Sequence, residues 1–127
     1  MKSFLIFSGI GVPLSSDIRS SCLTLVTGKI PGITFNQADL TKLDSLPIDG
    51  GGYCDSLSCL HAIEHFGLGR YGDPLDPQGH LKAIDNIAKM LRPEGIFYFS
   101  VPFGKSQVIF NANRVFSLGY LVSMVTP

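Results

Sequence analysis

Charge is scarce in this sequence. Ten basic and ten acidic residues among 127 cancel to a formal net charge of zero, with no long run of one sign. Without a basic patch there is no electrostatic case for binding nucleic acid or an anionic membrane. Cysteine is scarcer: Cys22, Cys54 and Cys59 are an odd number, each with apolar residues close by. A disulfide framework or a zinc ribbon needs more cysteines at tighter spacing, so buried free thiols in a reducing compartment are expected. Tryptophan is absent, internal repeats and low-complexity linkers are absent, and no apolar run, "LGYLVSMVTP" included, is long enough to cross a bilayer.

What is present points to a folded chain. Hydrophobic residues make up 45% and include nine Phe and four Tyr, which suits one domain over residues 1–127 with a modest core. The opening "MKSFLIFSGIGVPLSS" reads as a core strand at Phe4 to Phe7 running into the turn Ser8-Gly9-Ile10-Gly11. A short signal peptide over residues 1–16 is the alternative, although no A-x-A-like cleavage site follows. A cytoplasmic location is the expectation.

Apolar runs read against turn residues give an alternating order. A short helix is expected around Pro13 to Arg19, then strands at Leu23 to Thr27 and Ile33 to Gln37. A polar loop with three consecutive glycines leads to a buried strand, Cys54 to Leu60. After a stretch dense in Gly and Pro, the spacing predicts a helix from about Asp76 to Leu91. Leu81, Ile84, Ile87, Ala88 and Leu91 would share one face, and Lys82, Asp85 and Lys89 the other. "RPEG", Arg92 to Gly95, would stop it. Ile96 to Val101 is apolar on both faces, like a parallel strand covered by helices, and Val108 to Phe110 is a further short strand. Strands alternating with helical connections predict a doubly wound, mostly parallel α/β sheet, with ligands at the carboxyl ends of its strands.

"HAIEH", His61 to His65, matches the H-x-x-E-H pattern of an inverted zinc protease site. That site needs a long helix to stack its histidines and a third protein ligand. Here the pentapeptide directly follows a strand and is cut off by Gly67 and Gly69, and the next glutamate is Glu94, in a turn. No metal is therefore expected. Its place past a strand's carboxyl end instead makes His61, Glu64 and His65 candidates for a ligand crevice, with Arg70, Tyr71 and Asp73 in the loop beyond. The competing reading is structural, with Arg70 paired to Asp73 or Asp76 and His61 hydrogen-bonded at the edge of the core.

The run "IEHFGLGRYGDPLDPQGHLKAIDNIAKMLRPEGIFYFSVPFGKSQVIFNANRVFS", Ile63 to Ser117, resembles a nematode-type family of uncharacterised proteins, domain of unknown function 268. Its members have a class I S-adenosylmethionine-dependent methyltransferase-like fold. "LRPEGIFYFSVP" looks like the methyltransferase turn in which L-K-P-G-G precedes a buried strand, and "DSLSCLHAIEH" like the fourth strand and its edge. The resemblance is strongest over 63–117 and extends back to about Ile33. It implies a Rossmann-like sheet, shortened near the N-terminus by about one helix and incomplete at the C-terminus.

For function, the resemblance implies S-adenosylmethionine as cofactor and a small-molecule or other acceptor that it does not identify. Gly9 and Gly11 would form the glycine turn and Asp39 would accept from the adenine amino group. Leu40 would pack beside the adenine, and Leu60 and His61 would lie along the cofactor. Glu64, His65, Arg70, Tyr71 and Asp73 would face the substrate. A catalytic base would come from His61, His65 or Asp73, since histidine titrates near neutrality. The second strand ends in "VTGK", with no ribose-binding carboxylate. The alternative is a degenerate or partial module kept for protein contacts. In it an unpaired sheet edge and exposed Phe110, Phe116, Tyr120 and Leu121 would drive self-association.

Overall fold

The computed structural model describes residues 17–19, 35–37, 39–42, 52–70 and 72–126, the first two segments by their backbone. The expected strands at Phe4 to Phe7 and Leu23 to Thr27, the Gly9–Gly11 turn, Cys22 and Tyr71 lie outside those residues. The architecture is mixed α/β. Strand β1 (Asp17–Arg19) pairs in parallel with β2 (Phe35–Gln37), Ile18 opposite Asn36. The helix expected at Pro13 to Arg19 is therefore corrected over its last three residues, where parallel pairing with a strand prevails over weak local helical pattern.

The centre is β3 (Cys54–Leu60) paired in parallel with β4 (Leu91–Ser100). Parallel neighbours need a crossover, and the crossover here is a 3₁₀ turn at Ile63–His65, a glycine-rich loop and helix α1 (Gly79–Met90). Leu57 lies opposite Phe97 and Cys59 opposite Phe99, so these four share the face on which α1 packs. Ala83, Ile84, Ile87 and Met90 of α1 join Leu40, Leu57, Cys59, Ile63 and Phe66 in one buried cluster, each large side chain contributing about 1.5–3 kcal/mol. Asn86, also buried, donates from Nδ2 to the Leu40 carbonyl at 2.9 Å and ties the turn at 39–42 to the helix.

Two boundaries differ from the expectation. Helix α1 starts at Gly79, because the Asp76 carboxylate accepts from the Gln78 N–H at 3.0 Å and closes a turn first. The buried face is also rotated: Ala88 is exposed, while Ala83 and Met90 are buried. Strand β4 begins at Leu91, five residues before Ile96. Leu91 pairs with Cys54 and Ile96 with Ser56, so Arg92 to Gly95 bulge out of the ladder and Arg92 donates to the Asp55 carboxylate at 2.9 and 3.0 Å. The other face of β4 is open, with Ile96 and Tyr98 exposed.

Beyond β4, β5 (Gln107–Ile109) and β6 (Asn113–Val115) form an antiparallel hairpin. Phe110 falls in its turn rather than in the strand expected at Val108 to Phe110. The Phe116 N–H donates to the Pro102 carbonyl and the Gly104 N–H to the Phe116 carbonyl, each at 2.9 Å, which ties the hairpin to the end of β4. Helix α2 (Leu118–Val125) follows. Phe116, expected on the surface, is 2% exposed, packed against His80 and Tyr120; Phe110 and Tyr120 are exposed and Leu121 is half-buried. No helix among the described residues is long and apolar enough to cross a membrane.

Candidate functional site

The carboxyl end of β3 turns sharply. His61 donates its N–H to the Ser100 carbonyl at 2.9 Å, the last rung of the β3–β4 ladder, and its φ is +49°. A non-glycine residue in that region is held there by its surroundings at a cost. The 3₁₀ turn that follows folds the chain back, so Glu64 buries its side chain to 2% exposure between two imidazoles.

Glu64 Oε1 lies 3.4 Å from His61 Nδ1 and 3.7 Å from His65 Nε2. Its second oxygen, Oε2, is buried without a hydrogen-bond partner. His65 Nδ1 stands 2.6 Å from the Ala112 carbonyl at the tip of the β5–β6 hairpin. The His61 side chain is 66% exposed and that of His65 24%. Both histidines thus meet on one carboxylate, in a turn rather than on the face of a long helix. Among the described residues no group of three His, Cys, Asp or Glu is placed to hold a metal ion.

The loop after the turn is clamped at several points. Gly67, at φ +72°, donates its N–H to Asp73 Oδ2 at 2.9 Å and accepts from the Asp76 N–H at 3.0 Å. Arg114, 6% exposed, donates from Nη1 to the Phe66 carbonyl at 2.5 Å and from Nη2 to the Pro77 carbonyl at 3.4 Å. Burial pulls the Arg114 guanidinium down, against the pull of Tyr120, Asp73 and Asp76 nearby. A hydrogen bond from Lys82, at 2.7 Å, holds the Asp76 carboxyl below the usual range. Asp73 therefore spends one oxygen on loop structure, and Arg70 is exposed.

The residues expected along a cofactor differ in exposure and in partners. Leu60 is 59% exposed, beside His61 at the strand end. Asp39 takes the Thr41 N–H and hydroxyl on Oδ1, at 2.9 and 2.7 Å, and faces Lys42 Nζ at 3.7 Å with Oδ2. Leu40 is fully buried in the core.

Sequence reasoning missed a second cluster. His80, in the first turn of α1, stands with Nε2 2.7 Å from the Tyr120 hydroxyl of α2 and packs against Phe116. Burial pushes His80 down to about 4, helped by the nearby Arg114 charge. Arg114 itself lies within the run Ile63 to Ser117 that carries the resemblance, which assigned it no task. Cys54 and Cys59 are free and buried, and burial, with the Glu64 charge second, pushes the Cys59 thiol up to about 12.

A family model described as "Caenorhabditis protein of unknown function, DUF268" matches residues 52–126, more than half of the chain. The span 63–117 lies within that match, and the weaker extension back to Ile33 lies mostly outside it. Neither the curated proteins nor the solved structures contain a match.

Proposed function

The chain belongs to this Caenorhabditis family of unknown function, DUF268, and from that premise we propose that it is a methyltransferase-like protein. Its cofactor would be S-adenosylmethionine, its sheet Rossmann-like and its methyl acceptor a molecule still to be identified. One observation carries the reading: β3 and β4 are parallel strands joined through α1, and His61, Glu64 and His65 gather at the carboxyl end of β3. In sheets of this type ligands lie beyond the strands' carboxyl ends.

The described residues fit the adenine end of the cofactor in part. Asp39 keeps a carboxylate with a 42% exposed side chain, able to accept from an amino group, and Leu60 offers exposed apolar surface. Leu40 has no side-chain surface to lend, because the core takes all of it. When bound, the cofactor supplies a methyl group already activated on a sulfonium. The protein's own work is to align the acceptor, exclude water and receive a proton from an unactivated hydroxyl or amine. The clamped loop from Gly67 to Pro77 supplies a fixed wall for that alignment, and the histidines supply the proton acceptor.

The test is calorimetric titration of the full chain with S-adenosylmethionine and S-adenosylhomocysteine, beside Asp39→Ala. Micromolar binding that Asp39→Ala weakens supports the reading. A folded protein that gives no binding at millimolar ligand sinks it.

A second reading rests on a different surface. Val108, Ile109 and Phe110 of the hairpin and Leu118, Val122 and Val125 of α2 are exposed apolar side chains, of the kind a contact module uses. Concentration-dependent size in the absence of any cofactor binding would favour it.

A further inference from the structure

The two histidines on Glu64 are not equivalent. The Ala112 carbonyl can only accept, so His65 Nδ1 carries a proton and donates it. Its Nε2 lies 3.7 Å from the Glu64 carboxylate and the ring is mostly covered. His61 differs on each count. It faces Glu64 through Nδ1 alone, its side chain is two-thirds exposed, and the remainder of the ring carries Nε2. Its backbone is held at φ +49° by the Ser100 carbonyl, which fixes where the ring starts. A buried carboxylate beside one nitrogen of a largely exposed ring is the arrangement that orients an imidazole as a base.

Among the described residues Glu64 is 2% exposed, its Oε2 lacks a hydrogen-bond partner, and its Oε1 faces the two imidazoles at 3.4 and 3.7 Å. A buried charge so weakly paired is costly and is retained where it serves a site. Long contacts of this kind tighten when a ligand excludes water.

We propose that His61 is the proton-accepting residue at the end of β3, with Glu64 as its positioning residue, and that its substrate is a small molecule presenting a hydroxyl or amine proton. The substrate class rests on the methyl-acceptor reading above; the assignment of the ring does not. In the step, the X–H bond of the acceptor breaks and its electron pair stays on X. The proton goes to His61 Nε2, and Glu64 Oε1 accepts from Nδ1–H and balances the imidazolium charge. Water takes the proton afterwards. His65, tied to the Ala112 carbonyl through Nδ1, covers the other side of the carboxylate.

The assignment requires His61 to hold its neutral-state proton on Nδ1, the tautomer that free histidine disfavours in water. Long-range ¹H–¹⁵N correlation of the full-length protein above pH 8 reads this directly, beside Glu64→Met, which conserves volume and removes the buried charge. We expect Nδ1–H on His61 in the wild type and Nε2–H in Glu64→Met. Acylation of His61 by diethyl pyrocarbonate, mapped by mass spectrometry, should slow several-fold in the variant. Nε2–H in the wild type overturns the proposal, as does Nδ1–H in both proteins. Should Glu64→Met not fold, the wild-type tautomer decides alone. Neither measurement uses a nucleoside, so its failure is separate from failure of the Asp39 titration.

Discussion

Arg114 donates to the carbonyl of Phe66, 48 residues earlier, and through that bond the β5–β6 hairpin grips the loop beside the candidate site. The second arm of the guanidinium reaches the Pro77 carbonyl just before α1, so one side chain fixes both ends of the loop. A lysine carries the charge but not the fork. Arg114→Lys should cost about 2–3 kcal/mol and Arg114→Met about 3–5 kcal/mol, because the first loses the forked pair of bonds and the second also strands the buried Phe66 carbonyl. Urea denaturation checks this. Wild-type stability in Arg114→Lys would show that the charge, not the two bonds, is what the loop needs.

Stability should fall on acidification through His80. Its folded value is about 4, against about 6.5 in an unfolded chain. Between those values the unfolded state binds a proton that the native state refuses, so stability is fully present above about pH 6.5, declines toward pH 4 and levels off below. The full decline is at most about 3 kcal/mol. Asp76 is also depressed, by its hydrogen bond from Lys82, but a carboxyl titrates lower than histidine, so its loss falls mainly below the His80 window. Urea midpoints from pH 4 to 8 should show the slope in wild type and a flatter one in His80→Gln. An unchanged slope in the variant would assign it to other groups.

Gly67 is the position in the loop that tolerates nothing larger. Its φ is +72°, and a Cβ there would stand 1.9 Å from the Asp76 carbonyl oxygen. Relief would require breaking the Asp73 or Asp76 contact that shapes the loop. Gly67→Ala should therefore cost about 3 kcal/mol or more. Gly72, at φ +76° but with open space around it, gives the comparison: Gly72→Ala should cost about 1 kcal/mol. Equal thermal shifts in the two variants would contradict the crowding argument.

The thiols should be silent. With Cys59 pushed up to about 12 and Cys54 also raised by burial, neither holds thiolate near neutrality. Ellman's reagent at pH 8 should label Cys54 and Cys59 only after denaturant is added, and peptide mapping separates them from Cys22. Labelling of Cys59 in the native protein would mean that the β3–α1 core opens locally.

The sequence made legible those features whose cause is local. Cys54 to Leu60 places Cys and Leu at 54, 57, 59 and 60 between a run of glycines and a turn, and it is β3 to the residue. The three- and four-residue spacing located α1, but Asn86 hid the position of its buried face. Hydropathy scores an asparagine as outward, whereas this one is inside to satisfy the Leu40 carbonyl. Helix α2 went unread because its eight residues are apolar all round and bury none fully, which leaves no amphipathic stripe to detect. At the site, "HAIEH" and its place after a strand were readable, and so was the unsuitability of a zinc protease helix. That Glu64 is the buried member and His61 the exposed one depends on a three-residue turn. The partnerships of Arg114 with Phe66 and His80 with Tyr120 span 48 and 40 residues, beyond any local pattern.

One local signal in the sequence has an energetic reading. In "LRPEG", Arg92 to Gly95 bulge from the ladder, and Glu94 rather than the neighbouring glycine takes the left-handed position. Glu94 sits at φ +64°, in the bulge between Leu91 and Ile96, and its side chain is exposed. A left-handed conformation suits glycine and costs other residues about 1–2 kcal/mol. Part of that gain is lost because glycine also loosens the unfolded chain. Glu94→Gly should still stabilise the protein by about 0.5–1 kcal/mol, a rise in melting temperature of about 2–6 °C for a domain of this size. Glu94→Ala keeps the strained φ without the carboxylate and should gain nothing. If the alanine variant gained as much as glycine, the benefit would come from removing the charge and not from relieving the backbone.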